Sequence, residues 1–244
     1  MRLISLNVWL GKLREPLIDF LRREASTTDI FCFQEITCSF NNTPENPDLF
    51  STIAKALSNF QGFFESSQEE GDIQTGLGIF IKRRIDTIDK EGDYFVYRTR
   101  NAMIGEDWRT QGRNAQFVQF PISGKECVVV NFHGIADGKG REDSEARISQ
   151  SKKLKKLLDT LGGSKIVCGD FNLTLATESL AIIDGGMRNM IKESGIISTR
   201  NRFFPYPDKF CDYILVDKDL EVKEFRVFED EISDHLALLL DFAT

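Results

Sequence analysis

The chain is rich in apolar runs of strand length and poor in helical ones, and this imbalance constrains the fold more than any other feature. Strand-like stretches are read at residues 2–9, 29–34, 63–66, 77–81, 85–88, 115–120, 126–132, 166–168, 211–216, 221–227 and 236–242, whereas helical spacing is confined to residues 15–24, 48–57 and 142–161. A doubly wound parallel sheet needs a helix after nearly every strand. With so few helices, placed early and mid-chain, the pattern predicts an α+β sandwich of two packed mixed or antiparallel sheets, with helices over the outer faces.

A chain of 244 residues that is 41% hydrophobic can bury a generous core, and no linker-like tract divides it, so a single domain over residues 1–244 is expected. Its 20 phenylalanines predict an aromatic core filled from the two inner sheet faces. The formal charge of −7 excludes a surface that is basic all over, so any nucleic-acid contact must be local. Cys32, Cys38, Cys127, Cys168 and Cys211 are odd in number and lack zinc-type pairing. They predict free, mostly buried thiols and a reducing, cytoplasmic setting. The N-terminal residues lack a signal-peptide pattern, and no apolar run reaches the roughly 20 residues that span a bilayer. No obligate protein partner is evident.

The strand-like runs repeatedly break off at residues able to do chemistry. Asn7 ends the first, Glu35 the second, His133 follows VVVNF, and KIVCGDFN delivers Asp170 and Asn172 from a strand through a turn at Gly169. Asp212 opens a later strand, and Ser233, Asp234 and His235 precede LALLL. The chain has two histidines and both lie at strand ends, where the loops of a sandwich gather. An ionised carboxylate only accepts hydrogen bonds while an amide nitrogen donates them, so Asp170 and Asn172 together could hold a nucleophilic water and a developing oxyanion. Glu35 and Asp234, helped by the Asn7 amide, offer the oxygen ligands that Mg²⁺ takes at ~2.0–2.1 Å. Asp212 could orient and charge-stabilise His235.

The ordered series LNVW, FCFQE, VNFHG, CGDFN, CDYILV and SDH resembles the endonuclease/exonuclease/phosphatase superfamily, the deoxyribonuclease I-like metal-dependent phosphohydrolases, from Asn7 to His235. That resemblance implies a four-layer αββα sandwich and Mg²⁺-dependent cleavage of phosphoester bonds, with Mn²⁺ as a substitute. It also implies metal ligation by Asn7, Glu35 and Asp234 and catalytic roles for His133, Asp170, Asn172, Asp212 and His235. A histidine at position 133, where apurinic endonucleases of the group carry tyrosine, counts against abasic-site repair.

The substrate, a small phosphoester or a nucleic acid, is less legible. Arg98, Arg100, Arg109 and Arg113 are interleaved with Trp108 in a polar stretch ending at Asn114, and Arg200 and Arg202 lie in a second loop at 198–209. Arg113, Asn114 and Arg200 are the candidate substrate contacts. Glu106 and Asp107 interrupt the first stretch, so it is expected to be a solvated charged loop. The competing reading from another class is a catalytically silent binding module on the same fold.

Overall fold

The computed structural model describes residues 1–243 apart from 42, 44–47, 86, 87, 103–106 and 139. In chain order the elements are β1 (Arg2–Asn7), α1 (Arg14–Glu24), β2 (Ile30–Ser39), α2 (Leu49–Ala56), β3 (Phe60–Glu70), β4 (Ile73–Lys82) and β5 (Lys90–Tyr97). There follow β6 (Arg113–Ile122), β7 (Lys125–His133), α3 (Glu145–Thr160), β8 (Ser164–Asp170), α4 (Glu178–Asp184), β9 (Arg188–Asn189), α5 (Met190–Glu193), β10 (Asp212–Val216), β11 (Glu221–Val227) and β12 (Leu238–Ala243). They form two six-stranded sheets, ordered β11-β12-β1-β2-β4-β3 and β5-β6-β7-β8-β10-β9. Both sheets are mixed.

Each sheet is built around one parallel pair, β1 with β2 and β7 with β8, joined through α1 and α3 respectively; their other neighbours are antiparallel. The crossover helices form where the spacing predicts them. In α1 the residues Leu17, Ile18, Phe20 and Leu21 are buried, and α3 buries Leu154, Leu157 and Leu158. Side chains cap the helix starts: Asp48 accepts from the Ser51 N–H at 2.9 Å and Ser144 from the Arg147 N–H at 3.3 Å. Helices α1 and α2 cover one sheet and α3 and α4 the other, giving the four layers.

The phenylalanines divide between two clusters: Phe120, Phe132, Phe171 and Phe242 belong to the one that holds the inward-facing Leu3, Ile30, Cys32 and Ile79. Phe31, Phe33, Phe60 and Phe80 pack with α1 and α2 on the outer face of the first sheet, with Phe31–Phe33 and Phe33–Phe80 centroids 5.7 and 5.8 Å apart. Strand alternation explains this: Cys32 and Gln34 point inward, so Phe31 and Phe33 must point out. Between the sheets the packing is largely aliphatic. It is crossed by a buried polar link in which Gln34 Nε2 donates to Asn131 Oδ1 at 2.6 Å and Asn131 Nδ2 to the Phe33 carbonyl at 2.9 Å. This buried pair, which leaves Gln34 Oε1 without a partner among the described residues, ties the register of one sheet to the other.

Three strands differ from the expectation. Of the strand expected at residues 85–88, residues 86 and 87 lie outside the described set and neither Ile85 nor Ile88 is in a strand; the Ile85 N–H closes a turn on the Lys82 carbonyl, and β5 begins at Lys90, where it pairs with β6. The glycine-bearing loop expected before residue 77 is instead a long arm, because β3 and β4 continue to a turn at Gly71–Asp72 with β2 paired alongside β4 as far as Ser39 and Ile73. Finally, β2 does not stop at Glu35. It continues to Ser39 through a bulge.

Candidate active site

Pairing explains why distant motifs meet. In a parallel pair both strands end at the same edge, and antiparallel neighbours begin there. Hence the ends of β1, β2, β7 and β8 and the starts of β10 and β12 share one rim, with His133 and Asp212 both in register with Asp170. The rim opens into a cleft of about 560 Å³, lined among others by Glu35, Arg113, His133, Asp170, Asn172, Arg200, Asp234 and His235. Asn7 and Asp212 stand behind these residues, buried.

Two backbone features aim the acids. At Gly169, φ is +135° and a Cβ would lie 2.0 Å from the Phe132 carbonyl, so only glycine lets β8 run against β7 immediately before Asp170. Glu35 is a non-glycine residue at φ +55° in the β2 bulge. The extra residue turns its carboxylate into the cleft, and the left-handed backbone is strain of the kind that collects at functional sites. Trp9 and Leu10, at φ +50° and +54°, continue this pattern on the cleft lip. There the Trp9 N–H donates to Asn7 Oδ1 at 3.0 Å, and the ring lies 4.1 Å from Lys12 Nζ.

Asp170 is the centre of the arrangement. Its Oδ1 accepts from the Asn172 N–H at 2.9 Å, while Oδ2 accepts from Asn7 Nδ2 at 3.1 Å. The same Oδ2 lies 3.6 Å from His235 Nε2, 3.8 Å from His133 Nε2 and 3.9 Å from an Arg200 nitrogen. Burial alone would raise the Asp170 carboxyl, but the surrounding positive charge, His235 foremost, holds it below the ordinary carboxylate range.

The histidines differ. His235 Nδ1 lies 2.8 Å from Asp212 Oδ1, and the other Asp212 oxygen accepts from the Thr199 hydroxyl at 2.8 Å. Burial disfavours the imidazolium, yet Asp212 and Asp170 outweigh it and raise the His235 pKa. His133 is instead buried beside Arg113, and both effects push it down to about 3. Because a guanidinium only donates, the 3.3 Å contact from Arg113 Nη1 makes His133 Nδ1 the acceptor. The neutral ring then carries its proton on Nε2, which faces the cleft.

The donor set suits a hard divalent cation at Glu35. Its Oε1 accepts from Asn7 Nδ2 at 3.1 Å, and burial raises its carboxyl despite that bond. Among the described residues its sole ion-pair neighbour is His133, 3.9 Å away and neutral. This is a half-buried carboxylate that opens on the cleft and has, among the described residues, no arginine or lysine within ion-pair distance. Asn7, expected as a ligand, turns its amide oxygen to Trp9 and its nitrogen to the two acids, and Asp234 is paired with Arg200 at 2.9 Å. Asp170, Cys211, Asp212 and His235 also approach within 4.8 Å of one another. Their protons are already placed, however: burial keeps the Cys211 thiol protonated, and it donates to Asp212 Oδ2 at 2.9 Å.

The candidate substrate residues separate. Arg113 belongs to β6 rather than to the preceding loop and is buried in the cleft wall beside Asn114, whose amide is taken by Asp93 at 3.0 Å. Arg100 faces Glu65 and Asp93, and Arg109 pairs with Asp107, so these two behave as the charged loop expected. Glu106 and the Trp108 side chain lie outside the described set. Arg200 enters the floor, stacked 4.1 Å from the Phe204 ring, and Arg202 turns away to Glu231. Sequence reasoning passed over Thr199, Phe204, Arg141 and the place of Cys211 in this network. Thr199 and Cys211 directly adjoin named residues, which was the available signal. Arg141 carried none: it reaches the cleft because buried Arg147 bonds the carbonyls of Gly140 and Glu142 and anchors their loop.

Comparison with known proteins places the fold and the family. A search of curated proteins finds no match. Among solved structures, an endonuclease/exonuclease/phosphatase family protein from Leptotrichia buccalis superposes with a TM-score of 0.76 at 18% identity, covering 100% of both chains. A mannosyl-6-phosphatase from Bacteroides thetaiotaomicron gives 0.74 at 17% identity over 100% of both. D. rerio TDP2 complexed with single-strand DNA product gives 0.74 at 17%, covering 100% of this chain and 99% of the other. These likenesses establish the shared fold. The profile of the Endonuclease/Exonuclease/phosphatase family matches residues 4–235, and the chain belongs to that family.

Proposed function

We propose that the chain hydrolyses phosphoester bonds of a small phosphorylated substrate with the help of a divalent cation, Mg²⁺ with Mn²⁺ as substitute. The observation that carries this reading is the single Asp170 oxygen ringed by Asn7, His133, Arg200 and His235 beside the cleft-facing Glu35 carboxylate. Ionised Asp170 accepts a hydrogen bond from the attacking water and orients it. The His235 imidazolium, held by Asp212, donates a proton or a hydrogen bond to oxygen that gains charge as the P–O bond breaks. Neutral His133 donates from Nε2 to a phosphoryl oxygen, its tautomer set by Arg113. Asn172 gives one N–H to the Gly134 carbonyl at 3.3 Å and has a second for the phosphate. A cation on Glu35 supplies Lewis-acid polarisation of the phosphoryl group.

A small substrate is favoured because residues of the β3–β4 arm line one side of the cleft, whose lining mixes Lys12 and Arg141 with Glu70 and Gln68 rather than presenting a basic stripe. The sugar phosphatase and the DNA-bound structure among the fold neighbours bracket the alternatives. The test is phosphate release with Mg²⁺ and Mn²⁺ from small mono- and diesters, set against single-stranded DNA, duplex DNA and RNA, with Asp170→Ala as control. Metal-stimulated turnover of small esters, little affected by salt, is expected. Preferred cleavage of nucleic acid with steep loss of binding as salt rises would establish the nuclease alternative instead, and no turnover of any ester would favour a binding module.

A further inference from the structure

Arg200 sits where a second cation would be needed. Nη1 donates to Asp234 Oδ2 at 2.9 Å and another guanidinium nitrogen lies 3.9 Å from Asp170 Oδ2. The side chain is 6% exposed. It is held from three directions: Nε contacts the Cys211 sulfur at 3.0 Å, the Phe204 ring stacks on its face at 4.1 Å, and its backbone bridges to His235 in antiparallel fashion. Two-metal sites for phosphoryl chemistry place their ions about 3.5–4 Å apart between shared carboxylates. Here the shared carboxylates are already spanned by a group that cannot lose its charge.

We infer that Arg200 is the built-in second cation of this site, so that the cleft takes one divalent ion on the Glu35 side and Asp234 is not among its ligands. The charges support this. Asp234 is paired with Arg200 at 2.9 Å and Asp212 with His235 Nδ1 at 2.8 Å, Asp170 is shared among several donors, and Glu35 has one amide bond and, among the described residues, no arginine or lysine within ion-pair distance. A second divalent ion would have to displace the guanidinium from two buried acids or sit beside it and be repelled. Arg200 is therefore a positioning residue for the charge balance of the site. The inference rests on the reading of the cleft as cation-dependent.

The experiment is a Mn²⁺ titration of metal-free full-length protein, with free Mn²⁺ read by electron paramagnetic resonance and melting temperature followed in parallel. One ion per chain is expected for the wild type, for Arg200→Lys and for Asp234→Asn; Glu35→Gln should lose the site, and Arg200→Gln should gain a second. Two ions on the wild type, a single ion on folded Arg200→Gln, or loss of binding in Asp234→Asn as complete as in Glu35→Gln would overturn the inference. If Arg200→Gln does not fold, the Asp234→Asn and Glu35→Gln pair decides it. A wild-type protein that binds no Mn²⁺ would end the cation-dependent reading itself, an outcome distinct from binding two.

Discussion

His133 and His235 flank the same carboxylate oxygen at 3.8 and 3.6 Å, yet the protein gives them opposite characters. Around His235 it places Asp212, Asp170 and Asp234, and the ring is driven toward the cation. His133 also faces Asp170 at 3.8 Å and Glu35 at 3.9 Å, but burial and the adjacent buried Arg113 outweigh them and the ring is driven neutral. Two copies of one residue at similar depth are thus shifted in opposite directions. Neighbour charge, rather than burial, makes the difference, since burial opposes the charged form in both.

The comparison can be broken most forcefully at the shared acid. Asp170→Ala should lower kcat/KM by about 10⁴-fold, the upper end of what acid-base assistance supplies; a loss no larger than that from either histidine alone would show that the two do not act through it. His235→Gln should cost about 10³-fold and Asp212→Asn a large part of that, because an amide cannot stabilise the imidazolium. Phosphate-release kinetics that leave Asp212→Asn at wild-type rates would remove the pair from the mechanism. His133→Gln should cost less, about 10²-fold, since a neutral amide can replace a neutral N–H donor.

Smallest in size but sharpest in sign is the effect on stability. The folded pKa of His133, about 3, lies below its ordinary 6.5. The unfolded chain therefore takes up the proton first, and the contribution of this residue is full above 6.5 and is lost as pH falls from 6.5 toward 3. His235, raised above 6.5, contributes stability that is full below that value and is lost as pH rises through its folded pKa. Thermal melts of metal-free protein between pH 5 and 9 should show His133→Asn flattening the acid side and His235→Gln flattening the alkaline side, by a few degrees each. Matching slopes in the two variants would contradict the assignment of opposite charge.

Much of this was legible in the chain. Strand-length runs against scarce helical periods predicted two packed sheets, because side-chain periodicity is a local property. The chemical residues announced themselves by standing where apolar runs stop. Glu35 was recognised for the wrong local reason: it lies within a strand, and a bulge that sequence periodicity does not encode turns it into the cleft. The phenylalanines were placed correctly only in part, because composition counts rings without saying which parity of each strand they occupy.

Taken by itself, the sequence determined the residue types at the rim, the sandwich that gathers them, and the family. Tertiary structure alone decided the charge on each histidine, the direction of the Asn7 amide and the partner of Arg200. The physical reason is range. Periodicity and turn chemistry act over a few residues, whereas these properties come from contacts such as Asn7 with Asp170, 163 positions apart, and Arg200 with Asp234, 34 apart, which exist only once the sheets have packed.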